Sequence, residues 1–244
     1  MKCALAAVKF VNENIPHNRQ KIIETIRSCA GKTDVVLFGE AFLQGFYAAN
    51  FDPKHDAQIA VSQDDPIIAE IAAAAKQYAI AVSFGMIEKE GECFYSSQMT
   101  IAADGTVADV YRRVSPGWKL PCANQQYREG NGFHTFELMG QKIAVALCGD
   151  LWFDENVRQM KNCGPDVVFW PVYLDYNFEA WNTAIKHEYA QQAGLACGRV
   201  LCVNSVCTDK PGKDIAKGGA ALFECGSIAA EVPSGKEAVL FAEV

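Results

Sequence analysis

Six short apolar runs constrain this chain more than any other feature. "CALAAV" (3 to 8), "DVVLF" (34 to 38), "AIAVSFGM" (79 to 86), "KIAVALC" (142 to 148), "DVVFWPV" (166 to 172) and "VLCVNSV" (200 to 206) are continuous, the pattern of strands covered on both faces. Helical spacing fills the gaps between them. Residues 18 to 30 place Ile22, Ile23 and Ile26 on one face, 66 to 78 is rich in Ala and Ile, and 154 to 163 and 179 to 196 mix polar and apolar residues at helical intervals. Strand and helix in alternation predict α/β architecture. The stretches 92 to 111 and 218 to 243, punctuated by "ADG" at 103 to 105 and "ECG" at 224 to 226, predict consecutive antiparallel strands. No linker or internal repeat divides the chain, so residues 1 to 244 are expected to form one domain.

Composition narrows the partners. Lys plus Arg number 22 against 29 Asp plus Glu, a net charge of -7 with no basic cluster, which argues against nucleic acid. No apolar run approaches the ~20 residues needed to span a bilayer, and Met1 leads directly into a strand-like segment, so no membrane partner and a cytoplasmic location are expected. The 10 cysteines include no Cys-x-x-Cys pair and are joined by only 4 histidines, a spacing that predicts no metal centre. Most of these thiols read as small reduced hydrophobes. On counting alone Cys148 would be another of them.

Strand exits are where α/β folds collect ligands. "DVVLFGEAFLQGF" ends its apolar run at Gly39 and Glu40. A buried Glu there is either a base with an upward-shifted pKa or a structural carboxylate with a cationic partner, and position alone favours neither. "KIAVALCGDLW" delivers Cys148 to its own strand exit, followed by Gly149 and Asp150, the latter read as a turn or helix-initiating carboxylate. "DKPGKD" (209 to 214) reads as a solvated turn, and His187 as a surface or interface residue.

Glu40 after its strand, "YRR" at 111 to 113, and "ALCGDLWFDENVRQMKNCGPDVVFWP" from 146 together resemble, in order and spacing, the three signature regions of the nitrilase superfamily of carbon-nitrogen hydrolases. "IAVSFGMIEKEGECFYSSQMTIAADGTVADVYRR" and "GGAALFECGSIAAEV" are similar to the family's hairpin and late Gly-rich segments, so the resemblance covers nearly the whole chain. It implies a four-layer α-β-β-α sandwich with mixed sheets, a Glu, Lys, Cys triad and no cofactor. Glu40 would deprotonate Cys148, the thiolate would attack an amide or nitrile-type carbon, and Glu40 would then activate water against the thioester. The chemistry needs these types: a free thiol of pKa ~8.5 is mostly protonated at neutral pH and requires a base, and the developing oxyanion requires donors. The Gly149 N–H is a candidate donor.

Three positions depart from that pattern. The family lysine after Tyr-Arg is Arg113 here, and the next lysine is Lys119 in "SPGWK". Arg113 could stabilise an oxyanion but could not shuttle a proton. By its aligned position after Tyr-Arg it is preferred in the lysine's place, with Lys119, whose loop would need to fold back, as the substitute donor. "CANQQY" (122 to 127) supplies no second glutamate, and Trp152 stands where the family often has Arg. Among the aromatics, Trp152 and Tyr173 read equally as pocket or core, whereas Trp118, Tyr127, Phe153 and Tyr176 read as core. The expected function is cysteine-dependent hydrolysis of a small amide-type carbon-nitrogen bond; the alternative is a non-hydrolytic binding or regulatory relative. A homodimer or larger homo-oligomer is expected, because Ala190, Ala193, Leu195 and Ala196 could leave one helical face unpartnered and because the family resemblance points the same way.

Overall fold

The computed structural model describes residues 1 to 209 and 215 to 244; all of the expected turn at 209 to 214 beyond Asp209 lies outside the described residues. The chain opens with β1 (Lys2–Ala7), a two-residue β2 (Lys9–Phe10), α1 (Ile15–Cys29), β3 (Val35–Phe38), α2 (Pro53–Ile59) and α3 (Pro66–Tyr78). A meander follows, β4 (Ala81–Glu90), β5 (Cys93–Ile101) and β6 (Val107–Arg112), then β7 (Thr135–Leu138), β8 (Gln141–Val145), α4 (Asp154–Cys163) and β9 (Val167–Val172). The short α5 (Phe178–Ala180) passes through a π-helical turn at Trp181–Ile185 into α6 (Lys186–Ala196). The last strands are β10 (Arg199–Asn204), β11 (Val206–Cys207), β12 (Ala220–Glu224), β13 (Ser227–Val232) and β14 (Ala238–Glu243).

Local chemistry sets the element ends. Asp65 caps α3 by accepting from the Ile67 N–H at 2.9 Å, Pro66 opens the helix, and Ala79 closes it in the left-handed region at φ 53°. The β5–β6 turn uses Asp104, whose carboxylate accepts from the Thr106 N–H and hydroxyl, with Gly105 at φ 87°.

Two six-stranded mixed sheets result, ordered β14-β1-β3-β4-β5-β6 and β13-β12-β10-β9-β8-β7. They pack face to face. Leu5, Leu37, Val145, Phe169 and Leu201 fill the space between the sheets. The intervening side chains of the same strands face outward: Ala4, Val36 and Phe38 against α1 and α3, and Val168, Trp170 and Val172 against α4 and α6. Period-2 alternation with a helix layer on each outer face makes the runs continuously apolar. The architecture is the expected four-layer α-β-β-α sandwich. No helix among the described residues is long and apolar enough to cross a membrane.

Several local expectations need correction. The C-terminal strands are not one antiparallel series: β13 pairs with β12, but β14 crosses to pair with β1 in the other sheet. The strand leading to Cys148 stops at Val145, three residues short of it. Ala190, Ala193 and Ala196 are buried in the chain's own core, so the face expected to be unpartnered is covered and only Leu195 stands out, 57% exposed. Phe153 and Tyr176, expected in the core, are exposed.

Candidate active site

Three strand exits converge. Glu40 lies just past β3, Arg113 just past β6 and Cys148 three residues past β8, so the first sheet supplies two groups and the second sheet the third. The Glu40 turn fits only because Gly85 of β4 lacks a side chain: a Cβ there would sit 2.2 Å from the Ala41 amide nitrogen. Arg113 is aimed inward by strand alternation. Its N–H continues the β5–β6 ladder onto the Ser96 carbonyl at 2.9 Å, while Arg112 faces the other way and ion-pairs with the buried Glu88.

Cys148 opens a 3₁₀ turn (Cys148–Trp152) with φ of +44°, a region costly for any residue with a Cβ. Neighbours hold it there. Trp170 Nε1 donates to the Cys148 carbonyl at 2.8 Å, and the Cys148 thiol donates to the Tyr173 carbonyl at 3.5 Å. Asp150 is fully buried and accepts from the Leu147 N–H at 2.8 Å, the Ser115 N–H at 2.8 Å and the Tyr111 hydroxyl at 2.7 Å. The turn reading of Asp150 thus captures part of its place: it also ties the Cys148 turn to the segment carrying Arg113. Burial pushes its pKa up against those donors.

Glu40 is 1% exposed. Its Oε1 accepts from Arg113 Nη1 at 2.8 Å and from the Ser96 hydroxyl at 3.0 Å, while Oε2 is buried with no conventional hydrogen-bond partner. Both alternatives for this residue meet in one geometry, since Glu40 has a cationic partner and a free oxygen. Arg113 is 3% exposed, and its Nε donates to the Ser115 hydroxyl at 2.8 Å. Burial opposes its charge, but Glu40, then Cys148 and Asp150, outweigh burial and raise its pKa above the ordinary arginine value. The Cys148 thiol is pushed up to about 12, by burial first and by the Glu40 carboxylate second, with Arg113 pulling the other way. The resting pair is a thiol beside a carboxylate, which suits proton transfer during attack.

The structure separates the remaining residues. Lys119 donates to the Tyr127 carbonyl at 3.2 Å and ion-pairs with Glu129, while Arg113 alone of the two bonds Glu40. Gly149 lies against the Arg113 guanidinium. Tyr173 reaches the thiol through its carbonyl; its ring stacks on Phe46 at 4.2 Å in the core. Trp152 is 42% exposed and packs edge-on against Tyr189, beside the Trp170 that holds the Cys148 carbonyl. Trp118 and Tyr127 are buried together with Phe94. His187 is exposed. Sequence reasoning missed Ser96 and Ser115, whose hydroxyls orient Glu40 and Arg113; "SS" in a strand and "SPG" after one carry no signal that separates them from ordinary polar residues. A wider groove lined by Glu90, Asp109, Arg112 and His134 holds none of Glu40, Arg113 or Cys148. A narrow recess beside Glu40 is lined by Ala41, Phe46, Phe51, Ile87, Ser96 and Trp118.

A buried carboxylate, a cation and a strained thiol at the strand exits of a four-layer sandwich define a class of cysteine-centred α/β site. The chain belongs to the carbon-nitrogen hydrolase family, whose model matches residues 2–244. It is 26% identical over 168 residues to an (R)-stereoselective amidase of Pseudomonas sp., covering 69% of this chain and 58% of that one. It is also 26% identical over 197 residues to N-carbamoylputrescine amidase of Arabidopsis thaliana, covering 74% and 65% respectively. The matched stretches thus span less than two thirds of these relatives' own lengths. Among solved structures, a mutant of the Nesterenkonia AN1 amidase of the nitrilase superfamily superposes with a TM-score of 0.80 at 18% identity, covering 100% of this chain and 90% of that chain, which establishes the shared fold.

Proposed function

We propose that this protein is a cysteine-dependent hydrolase of a small, non-peptide amide-type carbon-nitrogen bond. The observation that carries the reading is the buried Glu40–Arg113 ion pair whose carboxylate keeps one oxygen free and presses on the Cys148 thiol. Glu40 takes the Sγ proton as sulfur attacks the carbonyl carbon. Arg113, with the Gly149 N–H as a further donor, stabilises the oxyanion. The tetrahedral adduct collapses to a thioester, the leaving nitrogen takes the proton from Glu40, and ammonia or an amine departs. Water, deprotonated by Glu40, then attacks the thioester and releases the acid and the thiol. Arg113, permanently charged, moves no proton in this sequence.

The names of the amidase relatives support an amide substrate. Ammonia release from a panel of small amides, ureido acids and nitriles tests the reading. Release by wild-type protein and none by Cys148→Ala is expected; release that survives Cys148→Ala would overturn it. The non-hydrolytic alternative is favoured if no panel member turns over and Cys148 reacts with iodoacetamide no faster than the other 9 thiols. A homodimer is supported by Trp152, Phe153, Tyr176 and Phe178, exposed by 42–49% on the nucleophile's side of the fold. Light scattering at 26.6 kDa across micromolar concentrations would reject it.

A further inference from the structure

The geometry points to Gly149 and Gly117 as positioning residues that exist to admit a guanidinium, so that an arginine works at this site only with two bare Cα atoms beside it. The inference rests on the proposed role of Arg113 and adds what that role demands of its surroundings.

Arg113 is held on two of its three nitrogens. Nη1 donates to Glu40 at 2.8 Å and Nε to Ser115 at 2.8 Å, whereas Nη2 takes no acceptor among the described residues. Nη2 is wedged between two glycines. A Cβ on Gly149 would lie 2.8 Å from it, closer than nonbonded carbon and nitrogen tolerate, and a Cβ on Gly117 would lie 3.1 Å away. The end of an arginine usually swings aside cheaply, but this one cannot move without breaking its bonds to Glu40 and Ser115. Neither glycine has a positive φ, so backbone conformation does not demand glycine at either place, in contrast to Gly105 or Gly226. Space does. A lysine would end in one compact nitrogen and need no such slot, whereas a guanidinium is a planar fork with three. The two glycines therefore leave Nη2, the one nitrogen not committed to the protein, free to meet a substrate carbonyl oxygen beside Cys148.

A double-mutant cycle on Gly149→Ala and Arg113→Lys tests this without turnover. The readout is the rate of Cys148 alkylation by iodoacetamide, which presents an amide oxygen, divided by its rate with methyl methanethiosulfonate, which presents none; both are followed by peptide mass spectrometry. Gly149→Ala alone should lower the ratio on the order of 10-fold, the coupling typical of residues in contact. In the Arg113→Lys background the same change should alter the ratio less than about 2-fold, because the slot is no longer filled. An equal loss in both backgrounds, or no loss in either, overturns the inference. Should Gly149→Ala fail to fold, Gly117→Ala carries the same cycle against the same nitrogen, with the same outcomes deciding. Absence of amide hydrolysis by wild-type protein would sink the proposed function and leave this cycle intact.

Discussion

Arg113 Nη1 and Glu40 Oε1 meet at 2.8 Å with both side chains sealed from solvent, although 73 residues separate them in the chain. A buried pair of this kind is costly to break from one side, because the survivor keeps its charge without compensation. The pair also divides labour on one carboxylate: Oε1 is committed to Arg113 and Ser96, and Oε2 remains for the thiol.

Cys148→Ala and Glu40→Gln should each abolish turnover on a verified amide while leaving circular dichroism unchanged. Near wild-type turnover in either variant would contradict the roles assigned to the two side chains.

Arg113→Ala should cost roughly 100- to 1000-fold in kcat, the range for loss of one oxyanion donor, whereas Lys119→Ala should cost little because its ammonium is spent on Glu129 and the Tyr127 carbonyl. Steady-state kinetics on the two variants separates them. A larger loss at Lys119 would reverse the assignment.

Thiol titration should move in opposite directions in two variants. The Cys148 pKa stands at about 12 with Glu40 raising it and Arg113 lowering it. Removing the negative charge in Glu40→Gln therefore lowers the pH at which methyl methanethiosulfonate reaction with Cys148 accelerates, and removing the positive charge in Arg113→Ala raises it. Movement of both variants in one direction would rule out charge as the cause.

Raised thiol pKa values also set an alkaline limit on stability. Cys3 and Cys148 both stand at about 12 when folded against an ordinary value of 9.0, so above pH 9 the unfolded chain has released protons that the native protein still holds. Stability is then fully present below pH 9 and falls as pH rises toward 12. Urea melts between pH 8 and pH 11 should show the fall, and it should shrink in Cys3→Ala. A flat profile would refute the linkage.

Asp150→Ala should destabilise the fold, since three buried donors lose their acceptor at once. A loss of about 3 kcal/mol or more is expected, roughly 6–12 °C in Tm for a chain of this size. Asp150→Asn, which keeps an acceptor oxygen, should lose less. Equal melts for wild type and Asp150→Ala would show that water replaces the carboxylate.

Strand and helix positions were legible in the sequence because burial on one or two faces leaves a local, periodic trace. The helices expected at 66 to 78 and 154 to 163 match α3 and α4, and all six apolar runs became strands. Both ends of the proposed proton transfer were visible too, as a carboxylate and a thiol each placed where an apolar run stops. Tertiary structure alone decided the rest. Only sheet order brings Ser96 and Arg113 side by side and turns them onto Glu40, and only the crossing of β14 to β1 reveals that the last hairpin is split between sheets. Which carboxylate each cation meets, Glu40 for Arg113 and Glu129 for Lys119, is likewise set only by the fold. The same holds for the helix face at 190 to 196, whose small residues look unpartnered in a one-dimensional pattern and are covered by the chain's own second sheet. Periodicity records that a residue is buried; which side chain it meets there is set by strand order and packing between segments far apart in the chain, and no local stretch of sequence carries that information.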